Sequence, residues 1–253
     1  MKVAILAGGR GTRLPEADQE KSKAMVPIGD KPILWHLMKY YAQYGLRNFV
    51  VALGYHGDSI RNYFAEMAAR QPPAVAGAQT VFFPATEQDW TVELIETGLD
   101  TMSGGRIKRL APYLGQAPFM LTWCDGLSDV RLNQLRAFHE RHGRIGTLTA
   151  VHPPGRFGRL ALSGERVVAF QEKIQDPNEW INGAFFAFNP EVFDYIDGDA
   201  TQFEREPLER LASDGELMAY RHESFWQCMD TGKEVQALND LWDSGAAPWK
   251  LWN

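Results

Sequence analysis

Apolar and polar positions fall along this chain in blocks whose lengths and spacings predict its elements. Val3 to Ala7 is a short unbroken apolar run ended by Gly8-Gly9, the pattern of a strand buried on both faces of a parallel sheet. From Pro32 the pattern turns helical through Ile33-Leu34-Trp35-His36-Leu37-Met38-Lys39-Tyr40-Tyr41 and stops at Gly45. Proline at the start and glycine past the end is the asymmetry expected of a helix. Phe49 to Leu53 predicts a second strand, and about Asp58 to Ala69 a second helix. Gln71 to Gly77, rich in Pro, Ala and Gly, predicts a surface loop. Phe119 to Trp123 predicts a strand ending on Cys124-Asp125-Gly126, followed by a helix from about Arg131 to His142 and a strand from Thr147 to Val151.

From Arg159 the pattern changes. Arg159 to Leu162 and Val167 to Glu172 flank Ser163-Gly164-Glu165-Arg166 as a hairpin would. Asn182 to Phe188 is strand-like, Pro190 and Glu204 each open a predicted helix, and Lys233 to Trp242 predicts the last one. The alternation of strands and helices implies an α/β fold, a doubly wound and mostly parallel sheet with a small β-rich region late in the chain. No repeat or low-complexity tract divides it, so a single domain over 1–253 is expected, with halves at 1–150 and 151–253.

Composition narrows the function without naming it. A chain of 253 residues with 45% hydrophobic and 23% charged positions can bury a sizeable core and carries no signature of disorder. Its net charge of -6 provides no general basic field, which argues against nucleic acid or a membrane as partner. Basic residues that meet phosphate must therefore be local. Two cysteines, Cys124 and Cys228, make no disulfide framework, and neither they nor the six histidines have metal-ligand spacing. The first apolar run is too short for a signal peptide or a membrane span, so a soluble cytoplasmic protein is expected.

The candidate chemistry begins where the first strand ends. Leu6-Ala7-Gly8-Gly9-Arg10-Gly11-Thr12-Arg13-Leu14 combines glycines, which let backbone N–H groups approach phosphate oxygens, with arginines that fork onto them. The loop lacks the third glycine of a dinucleotide fingerprint, which disfavours a nicotinamide-type dehydrogenase, and it lacks the Gly-Lys-Ser/Thr of a P-loop. A tight turn with solvated arginines is the ordinary alternative. Asp125, at the end of an apolar strand, lies where ligands bind in open α/β sheets, although Asp before Gly is also common in turns.

The glycine loop, with Lys23-Ala24-Met25-Val26-Pro27-Ile28 and Lys31-Pro32-Ile33-Leu34, resembles the sugar-1-phosphate nucleotidyltransferase family. Later segments resemble its cytidylyltransferase branch: Ser103-Gly104-Gly105-Arg106, Phe170-Gln171-Glu172-Lys173, Ile181-Asn182-Gly183, Phe225-Trp226-Gln227 and Met229-Asp230-Thr231. The resemblance implies a Rossmann-like nucleotidyltransferase fold and transfer of CMP from CTP to a sugar 1-phosphate, glucose 1-phosphate first, with release of pyrophosphate. It implies a nucleotide-binding first half and a sugar-phosphate-binding second half, Mg²⁺ as cofactor, and a homo-oligomer. By the same resemblance Arg13 and Lys23 act in catalysis, Asp125 and Asp230 hold the metal, and Leu6, Ala7, Gly8, Gly9, Gly11, Thr12, Thr101, Arg106 and Cys124 bind nucleotide. Thr101 and Arg106 would flank a Ser-Gly-Gly turn. Lys173, Asn182 and Gly183 bind the sugar phosphate. Trp35, Phe157, Trp180 and Trp226 are pocket or core aromatics.

The chain departs from the family at four places. Ser22 and Ala24 replace the prolines around the signature lysine, which is expected to loosen that loop. Cys124 stands where the family has glycine, and Cys228 and Ile174 stand where it has proline. These changes keep open a different nucleotide or acceptor, or a non-catalytic nucleotide-sugar-binding protein.

Overall fold

The computed structural model describes residues 1–9, 21–70, 80–82, 89–153, 159–171 and 179–252. Strand β1 (Val3–Leu6) buries all four of its side chains. A short hairpin follows, β2 (Pro27–Ile28) with β3 (Lys31–Pro32), turning through Gly29 at φ +61°, where an added Cβ would collide with the Trp242 indole. Helix α1 (Ile33–Gln43) starts after Pro32 and ends before Gly45, itself at φ +76°. Then come β4 (Asn48–Leu53), α2 (Gly57–Arg70), β5 (Thr80–Phe82) and β6 (Thr91–Glu96). The chain continues through α3 (Ser103–Leu114), β7 (Phe119–Trp123), β8 (Gly126–Ser128), α4 (Leu132–His142) and β9 (Gly146–Val151). The hairpin β10 (Arg159–Ser163) and β11 (Arg166–Gln171) turns through Gly164 at φ +60°. β12 (Ile181–Phe188), α5 (Glu206–Ser213), β13 (Leu217–Arg221), β14 (Trp226–Cys228) and α6 (Gly232–Asp243) complete the fold.

Eight strands form one sheet in the order β13-β9-β12-β7-β1-β4-β6-β5. β1 pairs in parallel with β4 and β7, β4 with β6, and β9 with β13. The exceptions are β12, antiparallel to both β7 and β9, and β5, antiparallel to β6. The sheet is therefore mixed and mostly parallel, as the alternation of elements implied, and strands from both halves of the chain share it.

Alternation along the strands builds two cores. Val3, Ile5, Val51, Leu53 and Met120 face one layer with Ile33 and Leu37 of α1, Ile60 and Phe64 of α2, Leu132 of α4 and Leu238 of α6. Ala4, Leu6, Val50, Ala52 and Leu121 face the other, with Ile107 and Leu110 of α3 and Leu208 and Leu211 of α5. A sheet apolar on both faces needs helices on both faces, and the sequence supplies them.

Three expectations change. Ser103-Gly104-Gly105-Arg106 is not a turn but the first turn of α3. Its N–H groups find partners outside the helix, Met102 N–H donating to Asp199 O at 2.8 Å and Gly104 N–H to Thr201 O at 2.9 Å. The glycines permit that docking, because a Cβ at Gly105 would lie 2.5 Å from Asp199 Cα and one at Gly104 2.8 Å from Thr201 O. Pro190–Tyr195 is a 3-10 segment rather than an α-helix, and α5 begins at Glu206 rather than Glu204. The strands β2, β3, β5, β6, β8, β13 and β14 had no counterpart in the sequence reading.

In the first turn of α1, His36 is fully buried among Trp35, Trp242, Trp249 and Trp252. Its Nε2–H donates to Ile28 O at 2.8 Å and its Nδ1 accepts from Trp249 Nε1 at 3.4 Å, so both nitrogens are satisfied in the neutral ring. Burial pushes its pKa from 6.5 to about 4. Because the unfolded state binds the proton first, this contribution is present above pH 6.5 and is lost as pH falls toward 4, a loss of roughly 3 kcal/mol.

In urea unfolding, the stability lost between pH 6.5 and pH 4 should be smaller in His36→Leu than in the parent chain by about that amount. Gly105→Ala should cost roughly 1–3 kcal/mol by overpacking, read as a lowered thermal midpoint. Gly198→Ala, with nothing within 4 Å of an added Cβ, should stay within about 0.5 kcal/mol of the parent.

Candidate active site

The carboxyl ends of β1 and β7 lie side by side at the centre of the sheet, and a cavity of about 550 Å³ opens there. Leu6, Ala7, Gly8 and Gly9 form one wall, continuing β1. Trp123, Cys124 and Asp125 form another, continuing β7. Leu99, Thr101, Met102, Ser103 and Arg106 close a third side, with Gln202 and Glu204 beside them and Lys23 in the wall. Arg10, Gly11, Thr12, Arg13 and Lys173 lie outside the described residues.

Lys23 sits on a 3-10 turn, Lys23–Met25, between β1 and β2. Its Nζ donates to Asp125 Oδ2 at 2.7 Å and to Asp230 Oδ1 at 2.6 Å. The three side chains are only 11%, 23% and 15% exposed. Burial works against the ammonium, but the charges and hydrogen bonds of Asp125 and Asp230 outweigh it, and Lys23 is held above the ordinary lysine range.

The aspartates meet because of a two-stranded ribbon. β8 pairs antiparallel with β14, Gly126 opposite Cys228, and Met229 N–H donates to Asp125 O at 2.8 Å. Asp230 immediately precedes the N-cap of α6, Thr231, which forms a capping box with Glu234. Glu234 Oε2 accepts from the N–H of Asp230 at 2.7 Å and of Thr231 at 2.9 Å. One carboxylate thus fixes the backbone that carries another. Cys228, Asp230 and Glu234 also place one potential ligand atom each within 4.8 Å of one another.

Arg106 points under the glycine loop rather than into open space. Its guanidinium is buried and donates to Leu53 O at 3.1 Å, Thr97 Oγ1 at 2.7 Å, Gly98 O at 2.7 Å and Leu99 O at 3.2 Å. A Cβ at Gly8 or Gly54 would collide with it, so those glycines make room for an arginine. Burial first, then the charge of Arg109, lowers its pKa below the usual guanidinium value. Among the described residues no carboxylate pairs with it, so its positive charge stands beneath the Gly8 loop. Thr101 is buried at the start of α3, its Oγ1 lying where a Cβ on Gly98 (φ +88°) would go.

Hydrogen bonds hold the Lys23 loop at Ser22, where the family has a proline. Ser22, buried, donates from Oγ to Ala7 O at 3.2 Å, and its N–H, which a proline would lack, donates to Ser59 Oγ at 3.2 Å. Hydrogen bonds to β1 and α2 here supply the constraint that a ring would otherwise give.

The nucleotidyl transferase family pattern matches residues 2–246. The chain is 45% identical over 256 residues to the glucose-1-phosphate cytidylyltransferase of Salmonella typhi, covering the whole of both chains. It is 39% identical over 255 residues to a probable glucose-1-phosphate cytidylyltransferase of Bacillus subtilis, again end to end. The chain belongs to the nucleotidyl transferase family. Solved structures share the fold at lower identity. HddC from Yersinia pseudotuberculosis superposes with a TM-score of 0.69 at 21% identity, over 95% of this chain and 99% of that one. A UDP-glucose pyrophosphorylase complexed with UDP-glucose gives 0.69 at 15%, over 96% and 98%.

Elsewhere in this nucleotidyl transferase, Asn182 and Gly183 are not among the described residues lining the cavity. They form an irregularity in β12: Asn182 Oδ1 accepts from Ala184 N–H at 2.9 Å, and Ala184 takes φ +61°. Gly183 approaches Val151 closely, and its carbonyl accepts from Trp226 Nε1 at 2.7 Å. Trp35 belongs to the cluster around His36, and Trp180 packs against His152 with the rings tilted; neither is among the residues lining the cavity, and Phe157 lies outside the described residues. Cys124 is buried, its thiol pushed up to about 12 by burial and then by Asp125, while Cys228 is half-buried; neither is in a disulfide.

Sequence reasoning missed Glu204 and Ser103 on the cavity wall, where Glu204 accepts from Ser103 Oγ at 2.6 Å and Trp123 Nε1 at 3.2 Å. It also missed Glu234, although Thr231-Gly232-Lys233-Glu234 spells a capping box. Arg106→Met should cost roughly 2–3 kcal/mol, because it strands buried carbonyls, and urea unfolding checks this. A residue serving only as a ligand contact would leave stability unchanged.

Proposed function

We propose that this nucleotidyl transferase moves CMP from CTP to glucose 1-phosphate, giving CDP-glucose and pyrophosphate. The observation that carries the reading is the convergence of Lys23, Asp125 and Asp230 at a nucleotide-sized cavity. End-to-end similarity to relatives named glucose-1-phosphate cytidylyltransferase supports the choice of base and sugar.

The chemistry asks little covalent work of the protein. An oxygen of the sugar phosphate attacks the α-phosphorus of CTP, the bond from that phosphorus to the bridging oxygen breaks, and pyrophosphate leaves with the electron pair. The attacking oxygen is already anionic, so no general base is needed. Positioning and charge neutralisation carry the rate. The Gly8-Gly9 backbone, with the buried positive charge of Arg106 beneath it, receives the nucleotide. Gly11, Thr12 and Arg13 are assigned to the phosphates as well, and Lys23 meets the charge that builds on the leaving pyrophosphate. Thr101 and Cys124 border the nucleotide, and Lys173, Asn182 and Gly183 serve the sugar phosphate, so the two halves of the chain divide the two substrates.

Mg²⁺ fits the donors present, because two carboxylates converging on one cation are a hard oxygen set. Asp125 and Asp230 would hold it, and when bound it would neutralise triphosphate charge and orient the α-phosphate. A second reading, the same transfer with another nucleotide or sugar phosphate, is favoured by one observation: Cys124, a residue of the cavity wall, stands where the family has glycine.

A matrix of four nucleoside triphosphates against several sugar 1-phosphates, read by pyrophosphate release, tests both. CTP with glucose 1-phosphate should give the highest turnover; a different best pair supports the second reading, and no release from any pair contradicts both. Asp125→Asn should lower kcat by at least ~100-fold and move the thermal midpoint little. An active Asp125→Asn chain would show that this carboxylate holds no metal.

A further inference from the structure

We infer that Lys23 occupies, in the free protein, the seat that the divalent cation takes in the working one, so that metal binding and release of the lysine are a single exchange. The inference rests on Asp125 and Asp230 being the metal carboxylates.

One ammonium is shared by two carboxylates on separate segments, at 2.7 and 2.6 Å, in a site largely shielded from water. Mg²⁺ contacts carboxylate oxygens at about 2.0–2.1 Å. A metal drawn between the same oxygens would therefore sit almost on Nζ, where two cations in a part-buried site repel strongly. Both cannot be held at once.

The surroundings decide which partner moves. Asp125 is pinned through its carbonyl by Met229 N–H, and Asp230 through its N–H by Glu234. The Lys23 backbone is pinned as well: Ser22 is tied to Ala7 and Ser59, and Val26 N–H donates to Lys23 O at 3.2 Å. What remains free to swing is the four-carbon stem of Lys23, and it already borders the cavity. A triphosphate lying on the Gly8-Gly9 wall offers the released ammonium new anionic partners. Metal alone must eject Lys23 without compensation, whereas metal with triphosphate does so with it. The two ligands are coupled, and the coupling is reciprocal. The lysine thus reaches the phosphates only when the metal is in place.

Mn²⁺ serves as the probe, with free Mn²⁺ counted by electron paramagnetic resonance on nucleotide-free protein. Lys23→Met should bind Mn²⁺ at least about ten-fold tighter than the parent chain; equal or weaker binding overturns the exchange. The parent chain supplies a second readout that needs no variant. Mg²⁺ alone should speed acetylation of Lys23 several-fold, measured by mass spectrometry against the exposed Lys250. Unchanged Lys23 labelling at a Mg²⁺ concentration that saturates the site also overturns it. Mn²⁺ binding to neither chain would bring down the metal reading together with the exchange, whereas equal binding to both brings down the exchange alone.

Discussion

The shared ammonium of Lys23 is the contact on which the site depends. It joins three parts of the chain far apart in sequence: the loop after β1, the end of β7 and the entry to α6. Taking three charged groups out of water is costly, and buried ion pairs repay that cost only with close geometry. A cluster kept solely for stability could be replaced by apolar packing. One that faces a nucleotide-sized cavity at the carboxyl ends of parallel strands has a different purpose, since ligands of open α/β sheets collect there.

The rest of the fold supplies rigidity to that contact. The central strands are buried on both faces, so the ends of β1 and β7 have little freedom. The β8–β14 ribbon and the capping box of α6 set the second aspartate against the first. Arg106 and Gly8 are matched, each shaped by the other, so the floor of the glycine loop is built from the opposite layer of the sheet. Ser22 and Ser59 replace the stiffness of proline with hydrogen bonds.

Much of this was legible in the sequence because it is local. β1, α1, β4, β7, α4 and β9 announce themselves by apolar runs and end signals. Lys23, Asp125 and Asp230 were identified through the motifs around them, and spacing alone would have left each as a turn or surface residue. What escaped is set by contacts distant in sequence. Ser103-Gly104-Gly105 reads as a turn because two glycines disfavour a helix, but the close approach of residues 199–201 makes a helix there the workable solution. β12 runs antiparallel between two strands that point the other way, and no feature of Ile181–Phe188 encodes that direction. Glu204 reaches the cavity through the layout of α3 and β7, whereas Glu234 was legible as a capping box.

In the proposed transfer the protein arranges two anions around fixed charges and contributes no nucleophile of its own. The stereochemical course at the α-phosphorus tests this most directly, using CTP made chiral there with sulfur and following its configuration into the CDP-sugar. A single in-line displacement predicts inversion. Retention would require two displacements, and so a covalent nucleotidyl-enzyme, which direct transfer excludes.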